Sequence, residues 1–322
     1  MEPSHEIGLD VRDLRHMLAA IGLTRIASET YCGTGAWNEA GAADPAFKLY
    51  GTGEDFALRC ARWFEVHWDA FEFADLKNVK DVSPELWSEE ADRSNGQTGE
   101  TASLRRALWA SVGSDGVPHG IRSKPDWSRI EASRFEFAAG AGHVHWLQSM
   151  RLLARGAAPN GDEGVEAARK EIARVLNGAI YDTQGEQDVR SSAHQTGPRP
   201  KPVAQCRWDP ACDRSHARLA RRPADDKLHQ DDTISALAVA GFASMASAPT
   251  ARGLATPSFD VGGERSALTW PVWTTPMGIE ALEAMLATGP RAWRGWTTVR
   301  ARRRTAGKGA FLFDRGVIAN LE

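Results

Sequence analysis

The sequence predicts an α+β protein, with a helix-rich N-terminal part and a mixed C-terminal part that contains short antiparallel strands. Three observations lead there. Apolar residues recur at helical spacing in five stretches before residue 182, whereas β-type runs broken by Gly and Pro gather after residue 250. Helices and strands never alternate in the βαβ rhythm that a parallel sheet needs. Between the two parts, TQGEQDVRSSAHQTGPRPKP is polar and ends in alternating prolines, so it cannot bury apolar area. The chain therefore divides into a helix-rich region over 1–182, a linker or extended loop over 183–204 and a mixed region over 205–322, and the whole can still close into one compact domain.

Taken in order, DVRDLRHMLAAIGLTRIASE opens the fold as a helix, with Val11, Leu14, Met17, Leu18, Ile21 and Ile26 at helical spacing, Asp10 as N-cap and Gly22 ending or loosening it. EDFALRCARWFEVHW repeats the pattern through Phe56, Leu58, Cys60, Trp63, Phe64 and Val66, and TASLRRALWASVGSDG gives a third helix stopped near Gly113. HVHWLQSMRLLARG and EGVEAARKEIARVLNGAI are the fourth and fifth, the latter with Val165, Ala168, Ile172, Val175 and Leu176 on one stripe. DTISALAVAGFASMA reads as a buried helix capped from the aspartates before it, and GIEALEAMLATG as a short one ended by Gly289. RGLATPSFDVGGERSALTWPVWTTP supplies short strands with GG as a turn, and the tail supplies two more strands around TAGKG.

Composition narrows the function classes. The 322 residues are 42% hydrophobic and 25% charged, ordinary for a soluble globular chain, and no apolar run reaches membrane-spanning length. Four cysteines and no basic-then-apolar leader favour a reducing cytoplasm, and no membrane partner is expected. The net charge of −3 hides a segregation. Asp69, Glu72, Asp75, Asp81, Glu85, Glu89, Glu90 and Asp92 form an acidic stretch that can face a basic partner subunit. Arg291, Arg294, Arg300, Arg302, Arg303, Arg304 and Lys308 form a basic one without an acid.

PVAQCRWDPACDRSHARLARRPADDKLHQDD, residues 202–232, concentrates cysteine, histidine, arginine and aspartate. Cys206 and Cys212 are five residues apart around Pro210, too wide for the zinc knuckle, in which two to four residues let both thiolates meet one tetrahedron. His143 and His145 share a strand face without a third ligand nearby. GTGAWNEAG and GTGE lack both the Lys-Ser/Thr of a phosphate loop and a preceding strand. No cofactor and no catalytic group is expected. A metal-dependent nuclease using Asp209, Asp213, His216 and Asp231 is the enzyme alternative, and a scaffold touching only proteins is another.

Arginine interleaved with aromatic residues carries more. Arg207, Arg214 and Arg218 lie in one basic group, and Arg300, Arg302, Arg303, Arg304 and Lys308 in a second beside Trp293 and Trp296. Guanidinium groups pair with phosphates in a bidentate fork, and tryptophan stacks on bases, so both groups are assigned to nucleic acid. An alternating strand with a glycine turn can lay the second group along a groove. Trp208, Asp209 and Pro210 are read as a structural turn, and Trp270 and Trp273 as anchors of a core or an interface.

Four stretches in this order, MLAAIGLTRIAS, CRWDPACDRSHARL, LAVAGFASM and LTWPVWTTP, together resemble proteins of type I-G (formerly I-U) CRISPR–Cas loci. The likeness covers most of the chain through loose motifs, none of them catalytic. Cys212 and His216 depart from it, standing where that family has an acid and an aromatic residue. The resemblance implies a non-catalytic large subunit of the RNA-guided surveillance complex, or a companion of its helicase–nuclease, acting in antiviral defence. Its partners would be the other effector subunits, guide RNA, target DNA with the short motif beside the target, and the helicase–nuclease.

Overall fold

Helix α1, Leu14–Tyr31, is buried on every side from Leu14 to Ala27, including Arg15, His16 and Arg25. A helix apolar around most of its circumference must lie inside the protein. The computed structural model describes residues 2–38, 46–72, 79, 82–96, 98–114, 130–136, 146–157, 161–178, 180, 208, 231–250, 253–259, 267–306 and 310–320. Helices α2 (Phe56–Val66), α8 (Asp232–Phe242) and α9 (Ile279–Thr288) pack against α1, and the other α-helices among the described residues are α3 (Trp68–Phe71), α4 (Pro84–Gly96), α5 (Glu100–Val112), α6 (Trp146–Ala157) and α7 (Gly161–Leu176). With antiparallel strands in several small sheets, this is an α+β fold.

The α1–α8 crossing decides the packing. A Cβ on Gly22 would meet the Leu237 carbonyl oxygen at 2.1 Å, and one on Gly241 would meet that of Leu18 at 1.9 Å. Only glycine allows two helix backbones to approach so closely. Gly22 therefore neither ends nor loosens the helix, as its local context suggests; α1 runs on to Tyr31 and closes through Cys32 in the left-handed conformation (φ 53°). The cap at the other end also differs from expectation. Asp13, not Asp10, accepts from the Arg15 and His16 amides, and Asp10 is engaged elsewhere.

The N-terminal part also holds strands that periodicity does not reveal. β1 (His5–Ile7), β2 (Thr34–Trp37) and β3 (Phe47–Tyr50) form an antiparallel sheet in the order β1-β3-β2. Its β2 strand is bonded in turn to the C-terminal part, with the Trp37 amide donating to the Trp273 carbonyl at 2.8 Å and the Gly35 amide to that of Met277 at 2.9 Å. Two-residue strands β4 (Gly113–Ser114) and β5 (Glu131–Ala132) pair with each other, as do β6 (Ala248–Thr250) and β7 (Gly253–Ala255).

Regions 1–182 and 205–322 share one continuous core. Phe135 and Trp146 from the first meet Trp208, Phe242, Phe259 and Phe313 from the second, with Phe135–Phe259 ring centroids 5.2 Å apart and Trp208–Phe242 centroids 5.3 Å apart. Trp208 is thus a core residue, while Asp209 and Pro210 lie outside the described residues. Trp270 and Trp273 are core anchors too, their indole N–H groups donating to the carbonyls of Val11 and Gly35.

The acidic stretch is not uniformly a surface. Glu90 on α4 is buried and accepts from Arg105 at 2.5 Å, and Arg105 also donates to the Asp69 and Glu72 carbonyls. Glu85, Glu89 and Asp92 remain exposed, and Asp75 and Asp81 lie outside the described residues. A face for a basic partner would use the first three with the exposed Asp69 and Glu72, and without Glu90.

Candidate nucleic-acid interface

The last sheet is built on β9 (Thr297–Ala306), a ten-residue strand and hence longer than the short ones expected. On one edge lies β8 (Ala267–Pro271); along the other run β10 (Ala310–Phe313) and β11 (Val317–Asn320), all antiparallel to it. The hairpin anticipated around TAGKG is present as β9 and β10. Phe313 opposes Arg303 and Val317 opposes Arg300, so three residues on the outer strand span two on β9. This bulge falls at Asp314–Gly316, where the Asp314 amide still donates to the Arg302 carbonyl at 2.9 Å.

Side chains alternate along a strand, and that alternation divides the arginines. Val299 and Ala301 are buried while Arg300 and Arg302 are exposed. Val317 and Thr269 flank Arg300 across the ladder, and Ala267 stands beside Arg302. Arg304 has the same alternation and pairs with Asp314. Arg303 goes the other way. Its Nη2 donates to the Glu136 carbonyl at 2.9 Å, beneath the sheet. Burial, with the like charge of Arg134 adding, pulls its ionisation down to about 10. The run of arginines is thus not one groove-lining set, for Arg303 does not join the outward row.

The bulge brings in two arginines from distant sequence. Arg12 grips Asp10 through Nε at 2.9 Å and Nη2 at 3.0 Å, and Arg315 reaches the same carboxylate. The Gly316 amide donates to the Arg12 carbonyl at 2.8 Å, and a Cβ there would strike Val299 Cγ1 at 2.2 Å. Burial alone would raise the Asp10 pKa, but the Arg12 hydrogen bonds and the Arg315 charge outweigh it and hold the carboxyl at about 2. Arg12, Arg300, Arg302, Arg304 and Arg315 therefore share one corner with Asp10 and Asp314. Nothing in the sequence links positions 10 and 315, so this part of the site has no sequence signal.

The two tryptophans beside the basic run also separate. Trp293 is buried, with its indole N–H donating to the Met285 carbonyl at 3.1 Å. Trp296, the residue before β9, is exposed. Arg207, Arg214, Arg218 and Lys308 lie outside the described residues, as do Asp209, Asp213, His216, Cys206, Cys212, His143 and His145.

Asp231 has a structural task. It is buried, caps α8 by accepting from the Thr233 and Ile234 amides, and receives both Arg174 Nη1 at 2.9 Å and Nη2 at 3.1 Å. Its carboxylate is thereby engaged on both oxygens, which removes it from the set a nuclease would need. No group of three His, Cys, Asp or Glu among the described residues is placed to hold a metal ion. The GTGE glycines do follow a strand, β3, and precede α2, contrary to expectation. The start of α2 is however occupied by Asp55, which pairs with Arg59 and accepts from the Tyr31 hydroxyl. An anion approaching that helix end would meet a carboxylate. Among the described residues no helix is long and apolar enough to cross a membrane.

Comparison with known protein families, with curated proteins and with solved structures finds no match to this chain.

Proposed function

We propose that the chain is a nucleic-acid-binding, non-catalytic subunit of an RNA-guided surveillance complex of type I-G CRISPR–Cas systems. It would contribute to target-DNA binding and to docking of the helicase–nuclease. Support for nucleic acid comes from one observation above the rest: Arg300 and Arg302 project from the solvent side of a long, well-anchored strand. Support for the CRISPR setting comes from the four sequence stretches alone. A guanidinium row of this kind neutralises phosphates without reading bases, which is the task left to protein when base pairing reads the sequence.

Reconstitution tests the reading. The chain is combined with the other effector subunits and guide RNA, and target-DNA affinity is followed against salt concentration. Replacing both Arg300 and Arg302 by glutamate is expected to weaken binding and flatten its salt dependence. A complex that assembles and binds target equally well without this chain overturns the proposal.

A further inference from the structure

We infer that the outer face of β9 takes single-stranded DNA, with one base stacked on Trp296 and the neighbouring phosphates on Arg300 and Arg302. The inference rests on the nucleic-acid reading above and adds the strand state, the sugar and the stacking residue. Trp296 carries it. Trp37, Trp63, Trp87, Trp109, Trp146, Trp208, Trp270, Trp273 and Trp293 are all buried, whereas Trp296 is 37% exposed. An indole left at the surface between exposed Arg294 and exposed Arg300 offers an aromatic face inside a cationic track.

Strand geometry gives the spacing. At about 3.3 Å per residue, Arg300 and Arg302 are roughly 7 Å apart along the strand, and Trp296 stands in the bend that leads into it, its amide donating to the Trp293 carbonyl at 3.0 Å. Arg300 and Arg302 occupy alternate positions of the strand and so share its outer face. A chain of unstacked nucleotides can follow such a row, setting a base on the indole while its backbone runs over the arginines. A duplex cannot, because its bases are stacked on one another.

The sheet is also too broad to enter a groove. A β-ribbon read into the major groove has two strands, whereas β9 is flanked by β8 on one edge and by β10 and β11 on the other. Three strands span about 10 Å between outer backbones before side chains are added, against a groove about 12 Å wide.

Among the described residues beside Arg300, none is placed to select ribose, so deoxyribose is accepted. Discrimination for RNA needs hydrogen-bonding groups directed at the 2′-hydroxyl. Here the Thr298 hydroxyl already donates to the Ala319 carbonyl, Thr269 is buried, and Val317 opposite Arg300 is apolar and 68% exposed.

The test uses the full chain and three labelled probes of about twenty nucleotides or base pairs: oligo-dT, oligo-rU and a mixed-sequence duplex, read by fluorescence anisotropy. Oligo-dT is expected to bind more tightly than the duplex and no more weakly than oligo-rU. Trp296→Ala should weaken it roughly tenfold, Trp296→Phe by no more than about threefold, and neither should move duplex affinity appreciably. Equal thermal melting of the two variants guards against misfolding. If Trp296→Ala leaves oligo-dT affinity unchanged while Arg302→Ala lowers it, stacking is refuted and the broader nucleic-acid reading stands. Tighter binding of the duplex or of oligo-rU refutes the strand state or the sugar. Failure of every probe overturns both readings.

Discussion

Helix α1 and strand β9 both carry arginines and treat them in opposite ways. In α1, Arg15 and Arg25 are inside the protein, and Arg25 is tied to Glu29 in its own helix, to Glu283 on α9 and to Ser244 beyond α8. In β9, Arg300 and Arg302 stand at the surface, and only Arg303 turns inward. Charge in the helix organises packing; charge on the outer side of the strand is solvent-exposed and adds little to stability. A count of arginines cannot separate these uses. Their position in the local repeat can.

The largest expected effect breaks the helical side of this contrast. Gly241→Ala places a methyl group where the Leu18 carbonyl oxygen already stands, at 1.9 Å, and no rotamer relieves a backbone collision. We expect destabilisation of about 3 kcal/mol or more, or no folded protein, measured by urea unfolding. Gly156→Ala is the matched control, since it lies in α6 with nothing within 4 Å of the added Cβ. It should stabilise by about 0.5 to 1 kcal/mol through helix propensity alone. Equal effects of the two would mean that α1 and α8 do not cross on their glycines.

Asp10 joins the two regions, because it lies just before α1 and holds Arg315 beside β11. Its folded pKa is about 2, below the ordinary carboxylate value. A depressed acid contributes stability that is complete above the unfolded pKa and is lost as pH falls through the folded one, here between about pH 5 and pH 2. Asp10→Asn is expected to cost about 2 kcal/mol at neutral pH and to remove that part of the acid limb, followed by unfolding at stepped pH. An unchanged acid limb would mean that the Arg12–Asp10–Arg315 link does not form in solution.

The same residues show what the sequence could and could not disclose. The α7 stripe of Val165, Ala168, Ile172, Val175 and Leu176 is legible because one repeat over sixteen residues fixes which side is buried. Strands β1 to β3, of three or four residues each, are too short to establish a period of two. Gly22 was misleading because a close backbone approach is a property of two helices, and its partner Gly241 is distant in sequence. Asp10 and Asp13 both satisfy the rules for an N-cap, and only the Arg12 and Arg315 contacts decide between them. Arg303 is a different case. Three consecutive arginines in a strand must place the middle one on the opposite face, so its inward turn was readable from alternation once the strand was recognised.

The strand side of the comparison is sharpened by neutralising outward and inward arginines separately. Arg302→Met is expected to change stability by less than about 0.5 kcal/mol, since it touches an exposed position. It should lower the magnitude of the logarithmic salt slope of nucleic-acid binding by about 1, the share of one phosphate contact. Arg303→Met should leave that slope unchanged. It removes a buried guanidinium together with the hydrogen bond to the Glu136 carbonyl, and an apolar side chain of similar length avoids the desolvation that pulls this group down to about 10. Those two consequences oppose each other, so the stability change should stay within about 1 kcal/mol, of either sign. Salt titration of both variants under one buffer is the measurement. Equal slopes would place Arg302 and Arg303 on one electrostatic surface and dissolve the division of β9 into an outer row and an inner anchor.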